Sequence, residues 1–311
     1  MASGKKYLKM RGDKVLITGA GGALAKKVKK LLLKEGYFVV MLTSNVKRCD
    51  DSTFYWNIET GQIDTKSLEN CKHIIHLSGY SIVKPWTTAN QKKMYDSRVK
   101  AAKLLFDTCV INKISIETFV SASAIGYYKS DCDELKNEKD LPGESWLSKL
   151  AKDWEASAYE FQKNNVRVVC MRISLLLDLK SGFLKPLVLS AKFGLGTVFG
   201  DKSNIIEWIH INDAAKFVSF AINNSSIKGS YNLATTNKAT QSKLIRIIKK
   251  YYARYAIVVT IPSFILSVIF GKRIQIIEGK TKVSVKKLEE SGFKWDYPVL
   301  DKALKKETFS K

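Results

Sequence analysis

Cysteine is scarce in this 311-residue chain: Cys49, Cys71, Cys109, Cys132 and Cys170 are an odd number, with no CxxC spacing. That argues against a disulfide framework or a thiolate metal site and fits a reducing, cytoplasmic setting with no metal. Long apolar runs are lacking too. The best candidate, IPSFILSVIFG (261–271), is about half the roughly 20 residues of a membrane span. Pro262 and Gly271 bound it, so it reads as a buried helix, and no membrane partner is expected. The N-terminal MASGKKYLKMRGD has no apolar core of the kind a signal or transit peptide needs. Acidic residues are few, 29 against 52 Lys and Arg, for a net charge of +23. The cations are mostly Lys, spread along the whole chain and not interleaved with aromatics. They read as a solvated surface, and no nucleic-acid partner is expected.

What is present is alternation. KVLITGA (14–20) reads as a buried strand and ALAKKVKKLLLKEG (23–36) as a helix ending at a glycine. YFVVMLTS (37–44) is a second strand. CKHIIHLSG (71–79), a long helical pattern from Thr87 to Asn112, and the strand ETFVSAS (117–123) follow. A helix beginning at SWLSKLAKDWE (145–155) precedes VRVVCMRIS (166–174). Short apolar strands alternating with helices predict an α/β, Rossmann-type doubly wound parallel sheet, with ligands at the carboxyl ends of its strands. We expect this nucleotide-binding domain over 12–175, with a return segment near 205–235. The segments 176–204 and 236–311 would form a smaller substrate domain.

The strongest chemical signal is VLITGAGGALA. Gly19, Gly22 and Ala25 fit G-x-x-G-x-x-[GA] between a strand and a helix. The first glycine permits the tight turn, the second lets backbone N–H groups approach a pyrophosphate, and the third small residue lets the helix pack on the strand. NAD sites usually place an acidic residue at the end of the second strand. Here that strand ends in Leu42-Thr43-Ser44-Asn45, with Lys47 and Arg48 just beyond. Hydroxyls plus cations suit a 2′-phosphate, so Ser44, Lys47 and Arg48 favour NADP(H) over NAD(H).

The spaced series TGAGGALA (18–25), HLSG (76–79), SASAIGYY (121–128), RIS (172–174) and WIHINDA (208–214) resembles the extended short-chain dehydrogenase/reductases. PWTTANQKKMYDSRVKAAKLL (85–105), KDWEASA (152–158) and KLEESGFKWDYPVLDKAL (287–304) narrow the match. They resemble the nucleoside-diphosphate-sugar epimerase-like subfamily with a small C-terminal domain of unknown function. The resemblance implies that Asn57 and Ile58 meet the adenine and that Leu77, Ser78 and Gly79 line the cofactor. It implies that Ser123 is the active-site serine and suggests a homodimer through the long helices.

Catalytically complete relatives carry Tyr-x-x-x-Lys on the helix after the serine strand, where the lysine charge lowers the phenol pKa. Counted back from Glu155, those positions are Leu147 and Ala151, and neither can titrate. Tyr80–Lys84 has the spacing but sits in a loop before Pro85. Tyr127 and Tyr128 follow Ser123 and offer phenols, or they pack against the C-terminal domain. Arg98 either meets an anionic substrate or its neighbour Asp96. Arg172 reads as a strand-end anchor, and Asp213 as a helix cap after His210, one of three histidines. Two functions stand: an NADP(H)-binding epimerase-like oxidoreductase acting on a small substrate, or a catalytically idle NADP(H)-binding regulatory or assembly protein.

Overall fold

The computed structural model describes residues 12–130 and 134–307; Cys132 and most of the N-terminal segment discussed above lie outside them. Strand β1 (Lys14–Thr18) turns into helix α1 (Ala23–Lys34), whose buried Ala25, Val28 and Leu32 follow helical spacing. Gly36, at φ +86°, closes it as the left-handed residue common after a helix. β2 (Phe38–Thr43), β3 (Thr53–Asn57), the two-residue β4 (Gln62–Ile63) and β5 (Cys71–His76) follow. The long helical pattern is one run: α2 (Thr88–Tyr95), a π-helical turn (Asp96–Lys100) and α3 (Ala101–Ile111). β6 (Thr118–Ala124), the short β7 (Leu135–Lys136), α4 (Trp146–Tyr159) and β8 (Arg167–Ile173) complete this half.

Beyond β8 the chain forms β9 (Leu175–Leu177), α5 (Leu184–Lys192), β10 (Leu195–Phe199), β11 (Ile205–Ile206) and β12 (Trp208–His210). Helix α6 (Ile211–Asn223) and β13 (Gly229–Leu233) then return to the sheet. The strand order is β13-β8-β6-β5-β1-β2-β3-β4. All pairs are parallel except β3 with β4. The order reverses at β1 and β5, which opens a crevice at their carboxyl ends.

Alternation along the strands builds two cores, one per face. Val15, Ile17, Ile75 and Val120 face α1 and α6, while Leu16, Ile74 and Phe119 face α3 and the end of α4. A third cluster joins α5, β10, β12, α7 (Gln241–Tyr252) and the last helix, through Leu187, Val198, Trp208, Leu244 and Leu300. Here β14 (Ala239–Thr240) pairs with β11, and β15 (Ile257–Ile261) with β10. Later β16 (Lys282–Val283) pairs with β7 and so joins the tail to the first half of the chain.

One expectation fails. The segment expected as a buried helix does form α8 (Ser263–Phe270), but among its side chains only Leu266 is buried. Phe264, Val268 and Ile269 are exposed. Ser263 and Ser267 mark one face of this helix, but residue type alone does not say whether its apolar remainder is covered. None of the described helices is long and apolar enough to cross a membrane.

Candidate active site

At the sheet's switch point lies a cleft of ≈ 480 Å³. Gly19, Gly21, Gly22, Ser44, Arg48, Ile58, Leu77, Ser78 and Gly79 line it. Gly19 sits at φ +77°, and a Cβ there would come 2.9 Å from the Leu77 carbonyl oxygen. The turn therefore demands glycine both for its backbone angle and for close strand-to-strand approach. A Cβ at Gly21 would lie 2.6 Å from Arg48 Nη1, so the guanidinium rests over the glycine loop. Ala25 is buried beneath it, where small size lets α1 seat on the sheet.

Two residues expected at the cofactor do not line this cleft. Lys47 is exposed outside the cleft, its amide bound to Asn45 Oδ1. Asn57 turns its Oδ1 back to accept from the amides of Glu59 and Thr60, a local Asx turn that only the folded backbone reveals. The cleft adds Thr43, Asn45, Trp56, Tyr80 and Ser97, none of which the sequence reading assigned to the cofactor. Thr43 and Asn45 flank Ser44 and were legible as part of the same polar strand end.

A buried hydrogen-bond chain fixes the cleft wall. The amides of Leu77 and Ser78 both donate to Thr18 Oγ1 at 3.0 Å. Thr18 Oγ1 lies 3.1 Å from His76 Nδ1, and His76 Nε2 lies 3.0 Å from the Arg98 carbonyl oxygen. A carbonyl only accepts, so Nε2 carries the proton and Nδ1 accepts from the threonine. Burial depresses His76 to about 4, which keeps the ring neutral. Ser78 Oγ donates to the Ser97 carbonyl oxygen at 2.7 Å and ties the same wall to the π-helical turn.

Ser123 does not face a cavity. Its hydroxyl donates to Glu155 Oε1 at 2.7 Å, and both residues are buried. Arg172 clasps Glu155 through Nε and Nη2, each at 2.8 Å, and Ser230 adds a fourth bond at 2.9 Å. Arg172 Nη1 also donates to Tyr128 Oη, which in turn donates to Asn232 Oδ1, both at 2.7 Å. The Arg172 guanidinium stacks 3.6 Å from the Tyr127 ring centre. Burial raises the Tyr127 pKa and pushes Tyr128 up to about 12, in spite of the nearby cation. A phenol tuned for proton exchange needs the opposite shift. The three residues marked from sequence as catalytic are thus brought together around Arg172 and Glu155, with the Ser123 and Tyr128 hydroxyls already committed. Arg172 anchors an internal network and not a loop alone.

The face of α4 that carries Leu147, Leu150, Ala151 and Trp154 walls a second cavity of ≈ 340 Å³. Arg98, Ala124, Leu175, Phe183, Glu207, Gln275 and Thr281 also line it. Leu147 and Ala151 therefore look into a cavity. Asp96 is not the partner of Arg98: it pairs with Lys92 and Lys100, one turn to either side. That i±4 spacing was readable in the sequence.

Of the remaining candidates, Tyr80 and Lys84 lie in a loop as expected. Trp86 packs on Trp146 and donates to the Ile82 carbonyl oxygen. Asp213 is not the cap of α6. His210 holds that place through Nδ1, while the Asp213 carboxylate accepts from the amides of Asp296 and Tyr297. No cluster of metal-ligating side chains occurs among the described residues.

A parallel sheet with a glycine cradle at its switch point defines a dinucleotide-binding α/β protein. Residues 15–234 match the NAD dependent epimerase/dehydratase family, and residues 261–307 match a domain of unknown function, DUF1731. The chain belongs to the NAD dependent epimerase/dehydratase family. It is 28% identical over 296 residues to an epimerase family protein of Staphylococcus aureus, covering 93% of this chain and 97% of that one. A Mycobacterium leprae epimerase family protein is 24% identical over 293 residues, covering 93% and 94%. Among solved structures, a human epimerase family protein with NADPH superposes with a TM-score of 0.84 at 22% identity, over 96% of this chain and 100% of that one. A Bacillus cereus UDP-glucuronic acid 4-epimerase, with UDP-glucuronic acid and NAD, gives 0.76 at 17%, over 94% and 97%.

Proposed function

We propose that this protein is an NADP(H)-dependent oxidoreductase or epimerase-like enzyme acting on a small substrate. One observation carries the reading: the glycine cradle is topped by an arginine, beside a strand end of hydroxyl and amide side chains with no carboxylate. The cleft suits a dinucleotide because the turn keeps a bare backbone at Gly19, where a Cβ would meet the Leu77 backbone. Backbone N–H groups around Gly19 to Gly22 would hold the pyrophosphate at the N-terminus of α1. Thr43, Ser44 and Arg48 would hold the ribose phosphate, Trp56 and Ile58 the adenine side, and Leu77 to Gly79 the far end. The human relative's NADPH supports this choice, and the Bacillus enzyme's NAD shows that the fold serves either nucleotide.

When bound, the dinucleotide supplies or accepts a hydride. This chain's part is positioning and exclusion of water. Leu147 and Ala151 carry no proton, so in this reading the proton that accompanies hydride comes from substrate or water. Glu155 and Arg172 hold Ser123 away from transfer and stiffen the floor beneath it.

The test is a titration with NADPH and NADH, read by energy transfer from tryptophan to the nicotinamide. NADPH binds more tightly, and Arg48→Ala lowers its affinity by about tenfold or more, the worth of one charge-assisted contact of ~1.5 kcal/mol. NADH affinity stays within a few-fold. Equal binding of both nucleotides by the native protein, or equal loss of both in the variant, refutes the NADP assignment. The absence of a titratable pair at 147 and 151 also supports a second reading, an idle NADP(H)-binding protein. Failure of a carbonyl panel to oxidise bound NADPH selects it.

A further inference from the structure

Arg98 is a half-buried cation with no anion paired to it among the described residues. Burial lowers its guanidinium to about 10, which still leaves it charged at neutral pH. Its Nη1 donates to the carbonyl oxygens of Tyr80 and Met94, each at 3.0 Å. Asp96, the acid beside it in sequence, is held by Lys92 and Lys100. Glu207 is the one acid among the described residues of the cavity wall. It is already engaged by Lys238 Nζ at 2.7 Å and by the Val283 amide at 3.2 Å.

The Nε–Nη2 edge of Arg98 makes no hydrogen bond among the described residues. In this same protein Arg172 uses that edge to clasp Glu155 with two parallel bonds of 2.8 Å. The Arg98 guanidinium lies 5.0 Å from the centre of the Trp154 ring. The indole N–H of that tryptophan is buried with no acceptor. Arg98 and Trp154 both line the ≈ 340 Å³ cavity, whose other walls are largely aliphatic and aromatic. Arg98 is carried on the π-helical turn, a local departure from α geometry that recurs at functional sites.

We infer that this cavity binds small, largely apolar molecules bearing a carboxylate, which accepts hydrogen bonds from the Arg98 guanidinium. Two observations converge on an acceptor of negative charge. A half-buried guanidinium without a counter-charge favours an anion beside it, and a carboxylate matches its planar edge in spacing as well as in sign. Leu147, Leu150, Ala151 and Trp154 then receive the apolar part of the molecule. The helix face that lacks an acid–base pair thereby acts as a wall for substrate. The inference names the substrate class of the enzyme proposed above. It rests on that proposal only for the statement that the bound molecule is reduced or oxidised.

The experiment uses the full chain labelled with nitrogen-15, following the Trp154 indole N–H signal, assigned by its loss in Trp154→Phe. The probes are hexanoate, hexanamide and hexyl phosphate. Hexanoate shifts the signal saturably, and hexanamide binds at least tenfold more weakly. Arg98→Gln weakens hexanoate at least tenfold, while Arg98→Lys, which keeps the charge, weakens it less. Spectral dispersion reports whether each variant is folded. Should a variant unfold, the comparison of hexanoate with hexanamide on the native protein decides alone. Equal response to hexanamide, tighter binding of hexyl phosphate, no saturable shift, or an unaffected Arg98→Gln overturns the inference. Hexanoate binding without NADPH binding sinks the cofactor reading and spares Arg98; the reverse spares the cofactor reading.

Discussion

Replacing Glu155 by Gln tests what Ser123 is for. Glu155 accepts four hydrogen bonds, two from Arg172 and one each from Ser123 and Ser230, in a site where it and Arg172 are about 4% and 3% exposed. Glutamine is nearly the same size, so packing is preserved and the change is one of charge. It strands the Arg172 guanidinium and turns an amide N–H toward donors. Breaking a buried pair by removing one partner costs about 3–5 kcal/mol, and with so little solvent access there is little screening to reduce it. The expected loss in unfolding free energy, from urea titration followed by circular dichroism, is therefore about 3–5 kcal/mol. Replacing both partners, Glu155→Leu with Arg172→Met, leaves no stranded charge and costs clearly less than the sum of the single changes. NADPH affinity in Glu155→Gln stays near native, since Glu155 does not line the cleft. A loss under about 1 kcal/mol, or strictly additive costs in the double variant, refutes the view that this network is a structural floor.

Two other expectations follow from the cleft. Histidine 76 is held neutral by burial, with a folded value near 4 against about 6.5 when unfolded. Its stabilisation is present above pH 6.5 and is lost as pH falls from there to 4, by about 3 kcal/mol in all. Urea titrations from pH 7 to 4 should show a fall of that size that His76→Gln flattens, and a native-like slope in the variant excludes His76 as its source. Gly19→Ala places a Cβ at φ +77° and 2.9 Å from the Leu77 carbonyl oxygen. It should cost about 1–3 kcal/mol of stability and at least about tenfold in NADPH affinity, and native values for both contradict the close-approach argument.

The glycine loop and the alternation of strands and helices were legible along the chain. Each is a local pattern, fixed by backbone angles or by spacing within one turn. Residues Ser44 and Arg48 were found the same way, from a strand end without a carboxylate. What lay beyond local pattern was the choice among partners. Nothing near Ser123 in sequence announces Glu155, Arg172 and Ser230, which lie 32, 49 and 107 positions away and meet only because β6, β8, β13 and α4 pack together. Lys47 and Asn57 have suitable chemistry but do not line the cleft, and a short-range turn engages the Asn57 side chain. The exposed face of α8 follows the same rule, since a largely apolar segment fits burial or exposure equally. The sequence by itself marked the glycine turn at Gly19 to Gly22, because such a turn is built from consecutive backbone atoms. Tertiary structure alone decided that Arg98 is left without a carboxylate beside an apolar cavity, because charge pairing is settled by which side chains the fold brings within reach.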